Sequence, residues 1–310
     1  MRIIFFGSPA SALFSLKKIL ESGHDVPLVV TQPDRPSGRG RTLSFSRVKL
    51  FAQENNILVY QPEKIRKDAN AVQKIKEIGP DLIVVHGFGQ IIPRSIIYLP
   101  RHNSLNVHFS LLPRYRGASP VQWAILNGDS KTGVTIFELN EKMDEGDLLI
   151  QEEITILPGE KAFELETRMA KIGAELLVET IARIEEITPQ KQDHSKATYA
   201  PKIKKENGRI DWKKNASALD RQVRAFSPWP SAFFFMDQTR IKIIEGSVRT
   251  GRASSHAPGE ILEIAKQGIV MGCGEESCYV IQTLQPENKK AMTAYSFAQG
   301  ARIKPRIRFS

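Results

Sequence analysis

Short runs of consecutive apolar residues alternate, over roughly the first 185 positions, with longer stretches whose apolar positions recur every three or four residues. Ile3–Phe6, Val26–Thr31, Leu82–Val85, Leu105–His108 and Val134–Leu139 are rich in Ile, Val and Phe and are predicted as strands. Between them, Ser11–Ser22, Ser46–Asn55, Asn70–Ile78, Pro120–Asn127 and Lys161–Glu186 carry helical spacing. Strand–helix alternation predicts an α/β fold: a doubly wound, mainly parallel, Rossmann-like sheet with helices on both faces. Ligands of such sheets sit beyond the carboxyl ends of the strands. The opening apolar stretch is too short for a signal peptide and is expected to be the first buried strand. No apolar run approaches the roughly 20 residues that span a bilayer, so no membrane partner is expected.

The pattern changes between Ile187 and Gly208, where polar and turn-forming residues dominate. Residues 1–189 are therefore expected to form one domain, 190–207 a linker and 208–310 a second domain. In the second, Ala216–Ala225 is predicted helical. Short strands are predicted at Ala232–Met236, Ile241–Glu245, Glu260–Ile264, Ile269–Met271 and Tyr279–Leu284, followed by a helix near Ala291–Gln299. Short strands punctuated by Gly and Pro suggest a small β-barrel of the oligonucleotide-binding (OB-like) type.

Charge sharpens this division. The 310 residues carry a formal net charge of +10. Positions 201–310 hold 19 Lys and Arg against 10 Asp and Glu, while the remaining 200 hold 25 against 24. A basic surplus confined to one third of the chain points to a polyanion, either nucleic acid or a membrane surface. The two cysteines, Cys273 and Cys278, supply neither a disulfide framework nor a zinc set, so a cytoplasmic, metal-free protein is expected. With no heptad or self-complementary stripe, a monomer is expected.

Gly7 follows the first strand, but Gly-Ser-Pro-Ala-Ser-Ala lacks the later glycines of a dinucleotide fingerprint, which argues against a nicotinamide oxidoreductase. The densest chemistry lies in Ser104-Leu-Asn106-Val-His108-Phe-Ser110-Leu-Leu-Pro113-Arg-Tyr-Arg116-Gly117. Asn106 and His108, two apart on a strand, project from one face. An amide donor beside an imidazole suits attack on a carbonyl: the amide stabilises a developing oxyanion and the imidazole moves protons. The acidic turn Met143-Asp144-Glu145-Gly146-Asp147 offers a carboxylate to orient His108. This spacing alone does not name a reaction.

Asn-Val-His-x-Ser-Leu-Leu-Pro-x-Tyr-Arg-Gly, followed by Thr132-Gly133-Val134-Thr135 and the acidic turn, closely resembles the formyltransferases that use 10-formyltetrahydrofolate. The resemblance implies a catalytic trio at Asn106, His108 and Asp144. It implies folate contacts at Ser110, Leu111, Leu112 and Pro113, and in the loop His86–Pro93 at Phe88, Gly89, Gln90 and Ile91. Three further features resemble the branch that acts on methionyl initiator tRNA. The loop Thr31–Arg41 implies tRNA contacts at Arg35, Arg39 and Arg41. The segments around Asp211-Trp212 and Arg224–Pro230 resemble the start of that branch's second domain, and Gln285–Met292 its terminal motif.

Three positions depart from the common pattern: Phe109 for glycine, Lys142 for a small residue, and Trp123 for an arginine found in some members. The rival reading within the same chemistry is an amino-sugar or purine-precursor acceptor, which has no use for a strongly basic second domain. The rival of another class is a non-catalytic tRNA-binding protein, which has no use for the trio. Asp211 and Trp212 are expected to be a turn cap and a core aromatic, and the cysteines to be structural.

Overall fold

The computed structural model describes residues 1–37, 42–250 and 255–309 and divides into two compact units. Unit 1 comprises Met1–Pro120, Lys131–Thr155 and Glu166–Pro201; unit 2 comprises Val121–Ser130, Ile156–Leu165 and Lys202–Ser310. The expected linker is thus shared between them. Residues 190–200 are stitched into unit 1 by backbone pairs of Gln190 with Leu148 and of Thr198 and Ala200 with Arg116.

In unit 1, β1 (Arg2–Gly7), α1 (Ala12–Glu21) and β2 (Asp25–Val30) open a parallel sheet. A short hairpin follows, β3 (Arg35–Ser37) and β4 (Thr42–Ser44), and then α2 (Arg47–Glu54), β5 (Leu58–Tyr60), α3 (Ala69–Ile78) and β6 (Leu82–His86). The Ser46 side chain caps α2 by accepting from the Lys49 amide, and Asp68 caps α3 by accepting from that of Ala71. Gly79, in the left-handed conformation at φ 61°, stops α3. After α4 (Arg94–Ile97) and β7 (Ser104–His108), the chain passes through α5 (Pro120–Asn127), whose Val121–Asn127 belong to unit 2. It returns as β8 (Lys131–Glu138) and β9 (Leu148–Thr155), and α6 (Ala162–Ala182) follows.

The sheet order is β5-β2-β1-β6-β7-β8-β9, parallel as far as β7 and antiparallel at β7–β8 and β8–β9. The central strands are buried on both faces, which is why they read as unbroken apolar runs. β9 has Gln151-Glu152-Glu153 at its centre and lies on the sheet edge, where one face meets water. Helices cover both faces. The α3 and α4 side buries Ile4, Phe6, Leu28, Val30, Ile83 and Val85 against Ala71, Ile75, Ile96 and Ile97. On the other side lie α1 and α6, joined by a Lys18–Glu175 ion pair of 2.7 Å. A Cβ built on Gly173 of α6 stands 3.1 Å from Val107 and 3.2 Å from Val134, so this glycine sets how closely the helix approaches β7 and β8.

Unit 2 contains α7 (Ala216–Ala225), an antiparallel sheet, and α8 (Ala294–Gly300). The sheet consists of β10 (Ala232–Met236), β11 (Thr239–Arg249), β12 (Ile261–Ala265), β13 (Gly268–Gly272), β14 (Cys278–Pro286) and β15 (Met292–Thr293). Its order is β10-β11-β14-β13-β12 with β15 beside β14, and among the described residues no ladder joins β10 to β12. Trp212, 5% exposed, packs edge-on to Phe234, which stacks on Phe309, so Trp212 is a core aromatic. The Asp211 carboxylate accepts from the Lys213 amide in the turn. Cys273 and Cys278 are buried free thiols, and burial pushes Cys273 up to about 12. Among the described residues no helix is long and apolar enough to cross a membrane, and no cluster of His, Cys, Asp and Glu could hold a metal ion.

Candidate active site

Strand β7 sets the centre of the site. Its Asn106 is the register partner of Val85, which faces α3 and α4, so Asn106 and His108 project to that side. Val107 and Phe109 project to the other, where Phe109 meets the His86 ring edge-on at 5.0 Å. The Phe109 departure is therefore a packing change against the α1 and α6 layer, away from Asn106.

His108 is buried, and its Nε2 lies 3.0 Å from the Tyr115 carbonyl oxygen. A carbonyl only accepts, so Nε2 carries the hydrogen and, in the neutral ring, Nδ1 keeps a free lone pair. That Nδ1 faces the Asp144 carboxylate at 3.9 Å. The bond that orients the ring thus comes from Tyr115, where the sequence suggested Asp144. The carboxylate stands one step further away and is itself held by the Gly117 amide, which donates to its Oδ2 at 2.8 Å.

Asp144 reaches this place by an indirect path. The β8–β9 connection leaves β8 beside the start of β7, since Glu138 pairs with Leu105, whereas His108 closes the other end of β7. The connection consequently folds back along the face that carries Asn106 and His108. Gly146 makes this possible: a Cβ there would lie 1.6 Å from the Glu138 carbonyl oxygen.

The Ser110–Pro113 turn is rigidly braced. The Ser110 hydroxyl donates to the Arg114 carbonyl at 2.6 Å, and Thr135 donates to the Ser110 carbonyl at 2.6 Å. Gln151 of β9 donates to the Leu112 carbonyl at 2.9 Å and to the Thr135 hydroxyl at 2.8 Å. Leu111 lies over Gly133, where a Cβ would stand 2.4 Å from its Cδ2. Leu112 is buried, while Leu111 and Pro113 are half-buried.

At the neighbouring end of β6, the four residues of the 86–93 loop expected to contact folate, Phe88 to Ile91, fall into two groups. Phe88 is buried edge-on to Phe6 at 5.2 Å, and both polar atoms of the Gln90 side chain are used, one accepting from the Ile65 amide and the other donating to the Pro62 carbonyl. Gly89 and Ile91 are exposed, leaving their surface for a ligand. His86 is buried on the α1 side with Nδ1 2.9 Å from the Ser15 hydroxyl; burial, reinforced by the charge of His108, lowers it to about 3.

Arg35 begins β3, is exposed, and pairs with Glu63 at 3.2 Å. Arg39 and Arg41 lie outside the described residues. The hairpin base is held by Asp34, which pairs with Lys49 and accepts from Gln61 at 3.1 Å. Burial works to raise the Asp34 carboxyl, but the bonds from Lys49 and Gln61 prevail and hold it below its usual range. Residues to which the sequence assigned no role in the site also build it: Tyr115, Thr135, Gln151 and Gln192. Thr135, Gln151 and Gln192 each donate a side-chain hydrogen to a distant backbone carbonyl, and Tyr115 lends its own carbonyl to His108, contacts that spacing along the chain does not reveal.

A folded-back carboxylate, an oriented imidazole and an amide on one face, beside a braced turn, form an arrangement that suits acyl transfer. Residues 1–181 match the formyl transferase family and residues 202–302 its C-terminal domain. A methionyl-tRNA formyltransferase of Geobacter metallireducens is 44% identical over 310 residues, covering 99% of this chain and 98% of the relative. Among solved structures, WlaRD, a sugar 3N-formyl transferase solved in the presence of dTDP and 5-N-formyl-THF, is similar with a TM-score of 0.66. It is 22% identical and covers 94% of this chain and 99% of its own. The methionyl-tRNA formyltransferase of Clostridium thermocellum has a TM-score of 0.57 at 21% identity, covering 81% and 95% of the two chains. The chain belongs to the formyl transferase family and, within it, to the methionyl-tRNA formyltransferases.

Proposed function

We propose that this enzyme transfers the formyl group of 10-formyltetrahydrofolate to the α-amino group of methionyl initiator tRNA, with Asn106, His108 and Asp144 as its catalytic residues. The reading is carried by one observation: Asn106 and the free Nδ1 of His108 share a face onto which Asp144 is folded back. The exposed surface of Gly89 and Ile91 and the half-buried Leu111 and Pro113 fit a flat, partly apolar donor such as a folate. When bound, the folate supplies the formyl carbon.

The attacking amine brings its own lone pair, so the protein's tasks are to align it, to stabilise charge on the formyl oxygen and to take up a proton. Asn106 donates its amide hydrogen to that oxygen as negative charge builds. His108 accepts the proton shed by the amine at Nδ1, the Asp144 carboxylate stabilises the imidazolium that results, and His108 then returns that proton to the donor's nitrogen as the old carbon–nitrogen bond to the formyl carbon breaks and the deformylated folate leaves. The Tyr115 carbonyl keeps the ring in the one tautomer able to do this. The basic surplus of positions 201–310 suits the phosphate backbone of the acceptor, with an affinity that falls as salt rises.

The test is formyl incorporation into charged initiator tRNA by wild type, Asn106→Ala and His108→Ala. Removing the oxyanion donor should lower kcat by about 100- to 1,000-fold. Transfer by wild type that survives in Asn106→Ala would remove Asn106 from the chemistry. Folate binding without any transfer to tRNA would redirect the acceptor to an amino sugar or a purine precursor.

A further inference from the structure

Behind the acidic turn lies a closed chain of hydrogen bonds that formyl transfer itself does not use. Gln192 is 5% exposed, and its Nε2 donates to the carbonyl oxygens of Asp144 and Gly146 at 2.9 and 2.7 Å. Its Oε1 accepts from Arg116, from Nη2 at 2.7 Å and from Nε at 3.2 Å. Arg116 is 1% exposed; its Nη1 faces the Glu145 carboxylate at 3.3 Å and its Nη2 donates to His194 Nδ1 at 2.9 Å. Carbonyls only accept and a guanidinium only donates, so the Gln192 amide has a single satisfied orientation.

Three physical points give this chain a direction. A buried guanidinium needs a counter-charge, and Glu145, the residue next to Asp144, supplies one. The turn cannot swing away without breaking that pair. Asp144 occupies the left-handed backbone region at φ 54°, which most L-residues avoid and which the surroundings of the turn support here. The two Gln192 bonds, one to each side of Glu145, supply that support. Finally, the amide that grips the Asp144 carboxylate is Gly117, the residue after Arg116. One bridge thus fixes both the turn that presents the carboxylate and the segment after β7 that receives it.

We propose that Gln192 and Arg116 are positioning residues for the transfer reaction: they pin the β8–β9 turn back across the sheet so that Asp144 stands against His108. This rests on the functional reading above. The Asp144–His108 distance is 3.9 Å, and loosening the turn would lengthen it where proton uptake needs it short.

Gln192→Glu in the full chain separates positioning from folding. It keeps the size of the side chain and strengthens the contact with Arg116, but it turns a carboxylate oxygen toward two carbonyls that need a donor. We expect kcat for formyl transfer to fall by about 100-fold with KM for folate and for tRNA changed less than about twofold. The Gly117 amide, protected by Asp144, should exchange with deuterium at least about tenfold faster, while amides of β1 and β6 stay as in wild type. A kcat within twofold of wild type, or a loss of kcat with unchanged Gly117 exchange, would overturn the proposal. A wild type that transfers nothing to methionyl initiator tRNA refutes the functional reading instead, and Gly117 exchange, which needs no substrate, still decides whether Gln192 holds the turn.

Discussion

His86 makes a quantitative prediction because its surroundings leave it one protonation state. It sits 3% exposed at the end of β6, bonded to the Ser15 hydroxyl, and burial lowers it to about 3. Unfolding returns the ring to water and to its ordinary 6.5. As pH falls through 6.5 the unfolded chain takes up a proton that the folded chain refuses, so stability is lost from there down to about 3 and is fully present above 6.5. The limiting slope is about 1.4 kcal/mol per pH unit. Between pH 7 and pH 5, allowing for partial protonation at 7, this single group should remove about 2 kcal/mol. His86→Asn keeps an amide to meet Ser15 but cannot titrate. Urea unfolding followed by a unit 1 probe, at both pH values and for both proteins, isolates the term. Wild type should lose about 2 kcal/mol more than the variant on acidification. Equal losses would mean that His86 protonates in the folded state, and the account of a dry, neutral imidazole behind the site would be wrong.

Two further outcomes follow from packing and charge. Gly133→Ala places a Cβ 2.3 Å from the Glu152 carbonyl oxygen and 2.4 Å from Leu111 Cδ2, so it should cost about 1–3 kcal/mol and raise KM for folate by displacing Leu111; an unchanged KM in steady-state assays would separate Leu111 from the folate contacts. Lys49→Met strands the Asp34 carboxylate, whose side chain is only 15% exposed, and should cost about 1–3 kcal/mol. Asp34→Asn should cost less, because Lys49 retains Gln61 at 2.9 Å; thermal unfolding that ranked the two variants the other way would refute the clamp at the hairpin base.

The parts of unit 1 legible in the sequence are those in which a whole element is buried. β1, β2 and β6 contain unbroken apolar runs because helices cover both faces of their sheet. The Asn106 and His108 pair was legible for a related reason, since alternation along a strand assigns both to one face whatever surrounds them. The direction of β8 was not legible: a run of apolar residues is the same run whether its neighbour is parallel or antiparallel, and the distinction lies in pairing with β7. β9 escaped because an edge strand is free to carry Gln151-Glu152-Glu153 toward water, which removes the apolar signal.

Gln192 is the most instructive case. Thr188-Pro-Gln-Lys-Gln192-Asp-His-Ser reads as a solvated linker, and most of its side chains are indeed exposed. Composition measures polarity, however, and polarity is equally satisfied by water or by a carbonyl brought in from 48 positions away. A buried amide flanked by exposed lysine and aspartate has no separate signature along the chain. The same holds for Arg116, which in sequence is one basic residue of Arg114-Tyr-Arg116 and in space is almost wholly enclosed, while Arg114 is exposed. Sequence therefore locates the groups that act on a substrate sooner than those that hold them in place. The former must project together from one element, whereas the latter need only meet in the folded chain.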